Sequence, residues 1–117
     1  MTAWGTIRRH LALALRVDVP VALIVVGSPD AVKERMVRGW PNMLTVSRAS
    51  KLWGAPVGAV VFLAATLDDM GWLNWHRPVV SDLRLRLRLV VAVGESLAGE
   101  AALRAPDFVS VAHWVEM

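Results

Sequence analysis

Apolar and polar residues alternate most strictly between Ser81 and Gly94, SDLRLRLRLVVAVG. Leu83, Leu85, Leu87, Leu89, Val91 and Val93 fall on one parity, and Arg84, Arg86 and Arg88 on the other. Side chains alternate across a strand, so this order predicts a strand with one apolar face and one face that begins with three guanidiniums. On a helix the same residues would scatter round the axis. Val17 to Val26 (VDVPVALIVV) is a continuous β-branched run of the kind buried on both sheet faces. Pro20 belongs near its start, where a missing N–H costs least. Met43 to Ser47 and Phe108 to Val115 read as two shorter strands.

Helices show a different spacing. Thr2 to Leu15 places Trp4, Ile7, Leu11 and Ala14/Leu15 on one stripe and Arg8, Arg9 and Arg16 elsewhere. Ser28-Pro29 opens a second helix, with Ser as cap and Pro at the first helical position. Val32, Met36 and Trp40 share a face of it, and Gly39-Trp40-Pro41 ends it. A third runs from Glu95 to Ala105 and stops at Pro106. Arg48 to Trp53 looks helical, Gly54-Ala55-Pro56 is a turn, and Asp68 to Pro78 reads as a loop or turn carrying Trp72 and Trp75. Val57 to Ala65 fits a buried strand or an apolar helix, and periodicity does not decide between them. The alternation of strands and helices predicts an α/β or α+β fold. It is read as a single domain over residues 1–117, with one central four- to five-stranded sheet flanked by about three helices.

Composition narrows the picture. The apolar fraction of 56% exceeds the roughly 45–50% of ordinary globular domains. The excess points to a very buried sheet or to a surface covered by other subunits, hence to a homo-oligomer. No run approaches the ~18–20 apolar residues of a membrane helix, so no membrane partner is expected, and the location expected is cytoplasmic or virion-associated. There are no cysteines, which excludes disulfide scaffolds and thiolate zinc sites. The net charge is +3, and 11 of the 13 basic residues are Arg. That balance favours anionic surfaces but is mild for a dedicated nucleic-acid binder.

Candidate chemistry is sparse. Gly27-Ser28-Pro29-Asp30 joins a strand to a helix, where α/β proteins place anions, but it lacks the glycine-rich cradle and the Lys-Ser/Thr of a phosphate loop. Asp68, Asp69 and His76 do not make the three or four converging ligands of a metal site. No nucleophile stands beside a placeable base. No catalytic residue, metal site or cofactor is therefore expected, and the protein is read as a non-enzyme. Arg84, Arg86 and Arg88, with about 7 Å between successive positions on a strand, are expected to contact another subunit or an anionic partner. Trp72 and Trp75 are expected to form an aromatic contact patch.

Three resemblances bear on function. The run ALIVVGSPDA with Asp68-Asp69 resembles the first motif of Toprim nucleases and primases, but Val26 stands where that family has its metal-binding Glu. Ala49, Trp53, Ala55, Val60 and Leu63, with Gly54 at the turn and Gly71-Trp72-Leu73 trailing, resemble a winged helix-turn-helix whose wing would be the Arg-rich strand. Its recognition helix, Pro56 to Thr66, offers no Arg, Lys, Asn or Gln to base edges. Lastly, Thr6 to Leu15, Pro41 to Val46 and Leu85 to Arg104 resemble small phage tail-terminator or tail-completion proteins over under half of the chain. That resemblance implies a leading helix, a compact sheet with one long strand, and subunits that form a ring. The function expected is a non-catalytic, self-assembling structural or interaction protein, a ring-forming tail or neck component among other structural subunits. The alternative is a winged-helix nucleic-acid-binding protein.

Overall fold

The computed structural model describes residues 2–117. Helix α1 (Ala3–Val17) is capped by Thr2, whose hydroxyl accepts from Gly5 N. It leads through Asp18, which adopts the left-handed conformation, to strand β1 (Val21–Val26). Ser28 caps helix α2 (Pro29–Gly39), with Pro29 at its start. Strand β2 (Leu44–Val46), a 3₁₀ turn (Ala49–Gly54) and strand β3 (Val60–Ala64) follow. Then come helix α3 (Leu67–Trp75), the short helix α4 (Pro78–Ser81) and strand β4 (Arg88–Val93). Helices α5 (Glu95–Arg104) and α6 (Pro106–Val111) and strand β5 (His113–Glu116) close the chain.

The fold is α/β, with a five-stranded, wholly parallel sheet in the order β2-β3-β4-β1-β5. Central strands carry apolar residues on both parities, as a sheet covered on both faces requires. Leu23, Val25, Phe62, Val90 and Ala92 point to the face closed by Ile7 and Leu11 of α1 and Val32 and Met36 of α2. Ala22, Ile24, Val61, Leu63, Leu89 and Val91 point the other way, beneath α3 to α6 and the 3₁₀ turn. Four helices reach nine residues or more, one above the expected number.

One open element is resolved and three expected ones are corrected. Val57 to Ala65 is a strand in its second half: Gly58, at φ 76°, turns the chain, and Val60–Ala64 lies between β2 and β4. A helix-turn-helix is thus not formed, because its recognition segment is an interior strand. Asp68 to Trp75 is helical rather than a loop, and only His76 and Arg77 form a turn before Pro78 opens α4. Thr66 and Asp69 make a reciprocal capping box that starts α3. The strand expected from Ser81 begins only at Arg88. Asp82 Oδ1 accepts from Arg84 N at 2.7 Å and Leu85 N at 3.0 Å, and Arg86 has φ 47°, so residues 83–87 turn instead of extending. The long strand implied by the tail-protein resemblance is therefore six residues long. Phe108 to Val111 belongs to α6. Pro106 stands in its first turn, and Asn74 Oδ1 accepts from Asp107 N and Phe108 N.

Candidate functional site: an arginine and tryptophan groove

The three arginines of the alternating stretch separate. Arg84 is exposed, Arg86 is half-buried, and Arg88 is 3% exposed. Arg88 Nη2 donates to Asp18 Oδ1 at 2.7 Å and to Ala14 O at 3.2 Å, while Nη1 donates to Gly58 O at 2.9 Å. Arg86 Nε lies 3.2 Å from the same Asp18 oxygen. Arg88 therefore ties the end of α1 to the turn before β3 and cannot reach a partner. The ladder expected of Arg84, Arg86 and Arg88 is absent because Asp82 takes the backbone out of the strand.

Trp72 and Trp75 sit on α3. Trp72 is half-buried and stacks on His76 at 4.2 Å, whereas Trp75 is 85% exposed. Asp68, Asp69 and His76 do not converge. Asp69 is buried and accepts from Ala49 N, Thr66 N and the Thr66 hydroxyl. Asp68 faces Arg104 at 3.8 Å. Among the described residues, no group of three His, Cys, Asp or Glu side chains is placed to hold a metal ion.

The connections after the neighbouring strands β1 and β4 leave to opposite faces, since α2 packs on one and α5 on the other. Parallel sheets bind ligands outside the carboxyl ends of such a strand pair. Here Met117 covers part of that position. Its amide donates to Val26 O at 2.9 Å, and its side chain lies where a Cβ on Gly27 would meet it at 3.1 Å.

A strongly cationic hollow lies elsewhere, between α1 and α2. A groove of 680 Å³ is lined by Arg8 and Arg9 from one helix and Arg35 and Arg38 from the other, between Trp4 and Trp40. Apolar stripes put it there. Ile7, Leu11, Val32 and Met36 face the sheet, so the arginines beside them face outward across the seam. The indoles meet edge to face, with centroids 6.1 Å apart, and Arg35 Cζ stands 5.0 Å from the Trp4 ring centroid. Arg38 pairs with Glu34 one turn back at 3.1 Å. Arg8, Arg9 and Arg35 make no ion pair among the described residues. Three guanidiniums thus share one depression, none of them in an ion pair among the described residues.

Trp40 is also a wall of a second hollow of 320 Å³, lined by Asn42, Met43, Gly58, Ala59 and Val60 and by no charged residue. At the other side of α1, His10 stacks on His113 of β5 with ring centroids 4.0 Å apart. Burial, then the neighbouring His113 and Arg9, hold the His10 imidazole below its ordinary pKa.

The groove escapes a reading of the sequence because its two halves are more than twenty residues apart, and each alone looks like the solvated face of an amphipathic helix. The available signal was a Trp within one helical turn of an Arg pair, at Trp4/Arg8 and at Arg38/Trp40. Compared with known families, curated proteins and solved structures, the chain matches none of them.

Proposed function

We propose that this is a non-catalytic interaction protein that holds an anionic polymer in the groove between α1 and α2. The observation that carries the reading is the set of three guanidiniums, Arg8, Arg9 and Arg35, that face one groove with no acidic partner among the described residues. Unpaired arginines close together repel one another and gain most from an oxyanion polymer that accepts their fork of donors. Isothermal titration with long-chain inorganic polyphosphate at low salt tests this. Binding should weaken at least tenfold in the Arg9→Glu/Arg35→Glu variant, with an unchanged melting temperature. Equal binding by both proteins would sink the groove as the site.

A second reading keeps the self-assembling subunit. Trp75 is 85% and Leu103 83% exposed. The Arg77–Asp107 pair and the Asn74 cap on α6 hold the end of α3 to the α5–α6 junction, so both apolar side chains stand at that end. A homo-oligomer, as in a ring of a phage-like particle, would cover them. Light scattering on a sizing column tests it: an oligomer that Trp75→Glu/Leu103→Glu converts to monomer supports it, and a wild-type monomer refutes it. Arg84 is then the only arginine of the alternating stretch free to join such a contact, because Arg86 and Arg88 are engaged by Asp18.

A further inference from the structure

We infer that the anionic polymer is a single-stranded nucleic acid, with its phosphates over Arg8, Arg9 and Arg35 and one base in the hollow behind Trp40; this rests on the polyanion reading above. The two hollows are adjoining and chemically unlike. One is lined by four arginines and no acid, the other by no charged residue, and Gly39 and Trp40 belong to both. A polymer of charge alone, such as polyphosphate or a sulfated sugar, would use the first and leave the second empty. A nucleotide has this division in its own structure, an anionic backbone next to a flat, uncharged, hydrogen-bonding base.

The residues of the second hollow suit a base. Trp40 presents an indole for stacking, and Met43 adds a polarizable thioether beside it. Asn42 is exposed at the rim, with an amide that both donates and accepts, as base edges do. Stacking falls to Trp40 rather than Trp4, because Arg35 already stands over the Trp4 ring and Trp4 meets Trp40 through an edge-to-face contact. The 320 Å³ of the hollow lies at the small end of the range typical of ligand pockets, roughly 300–1,000 Å³. A duplex cannot satisfy the site, since its bases are stacked and paired and only an unstacked base can enter.

Anisotropy titrations of labelled oligo-dT against the intact chain test the inference. The comparison ligands are an abasic strand of equal length, the same sequence as a duplex, and thymidine monophosphate. Oligo-dT should bind about tenfold or more tighter than the abasic strand and the duplex, on the scale of one base–aromatic stack. Trp40→Ala should abolish that difference, bringing oligo-dT down to the affinity of the abasic strand for the same variant. Because Trp40 also packs on the core, the exposed Asn42→Asp variant provides a fold-neutral check, and it should weaken oligo-dT more than polyphosphate. Equal affinity for abasic and base-carrying strands would overturn the base site while leaving the polyanion reading standing. Absence of binding to polyphosphate and oligo-dT alike would overturn both. Monophosphate binding as tight as the strand would identify a free nucleotide as the ligand and reject the strand.

Discussion

Arg88 shows how much a single position decides. It occupies the first place of an interior strand, where its guanidinium is out of water, and it survives there by donating to Asp18, Ala14 O and Gly58 O. Its Nε is buried without a hydrogen-bond partner among the described residues. Removing one partner of such a network strands the others, so Arg88→Ala should lower stability by about 3 kcal/mol, read from urea unfolding. Gly58→Ala should also destabilise, because its φ is 76° and a Cβ would lie 2.8 Å from Arg88 Nη1. Asp18 supplies a pH dependence. The hydrogen bond from Arg88, followed by the charges of Arg86 and Arg88, holds its carboxyl below the ordinary Asp value. A depressed folded pKa stabilises the fold above the unfolded carboxylate range and ceases to do so as pH falls through the folded value. None of this was legible in the sequence, where Arg88 looks like Arg84 and Arg86. What separates them is Asp82, whose side chain captures two amides and turns the chain.

At the scale of elements, continuous β-branched runs and capped amphipathic stripes were legible: β1, β2, α1, α2 and α5 lie where their patterns predict. Val60–Ala64 was ambiguous because a strand buried on both faces has no period to read. Helix α3 was missed because two successive acids and two Trp suggested a surface loop. Its signal was the Thr66…Asp69 box, and Asp69 does more than cap, since it also accepts from Ala49 N across the core. Asp69→Ala should therefore cost about 2 kcal/mol and loosen the 3₁₀ turn along with α3. Helix α1 has its own dependence on pH through the His10–His113 stack. His10 titrates below its unfolded value of 6.5, so the neutral ring favours the folded state. That contribution is complete above the unfolded pKa and is lost as pH falls through the folded one. Asp18, the C-cap of α1, acts in the same direction but only below the ordinary carboxylate range, so the loss at higher pH belongs to His10. Hydrogen exchange should show α1 losing protection before the sheet as pH drops from about 7 to about 5, and His10→Leu should blunt the onset. Uniform loss across α1 and β4 would contradict this.

At the scale of the whole molecule, the parallel sheet brings α1 and α2 side by side on one of its faces. The α/β class and one central sheet were legible in the alternation of patterns. The strand order was not, because it depends on which face each crossover takes. The groove inherits that dependence, since Arg8 and Arg35 become neighbours only when α1 and α2 share a face. The central claim, an anionic partner held by Arg8, Arg9 and Arg35 with Arg38 partly engaged by Glu34, is tested most directly by the salt dependence of binding. Labelled oligo-dT titrated over a series of salt concentrations should give a slope of log K against log salt of about −2 to −3, for three or four phosphates neutralised with roughly 0.7 counterion released at each. The Arg9→Glu/Arg35→Glu variant should lose most of that slope. A slope near zero, or one that the variant leaves unchanged, would contradict it.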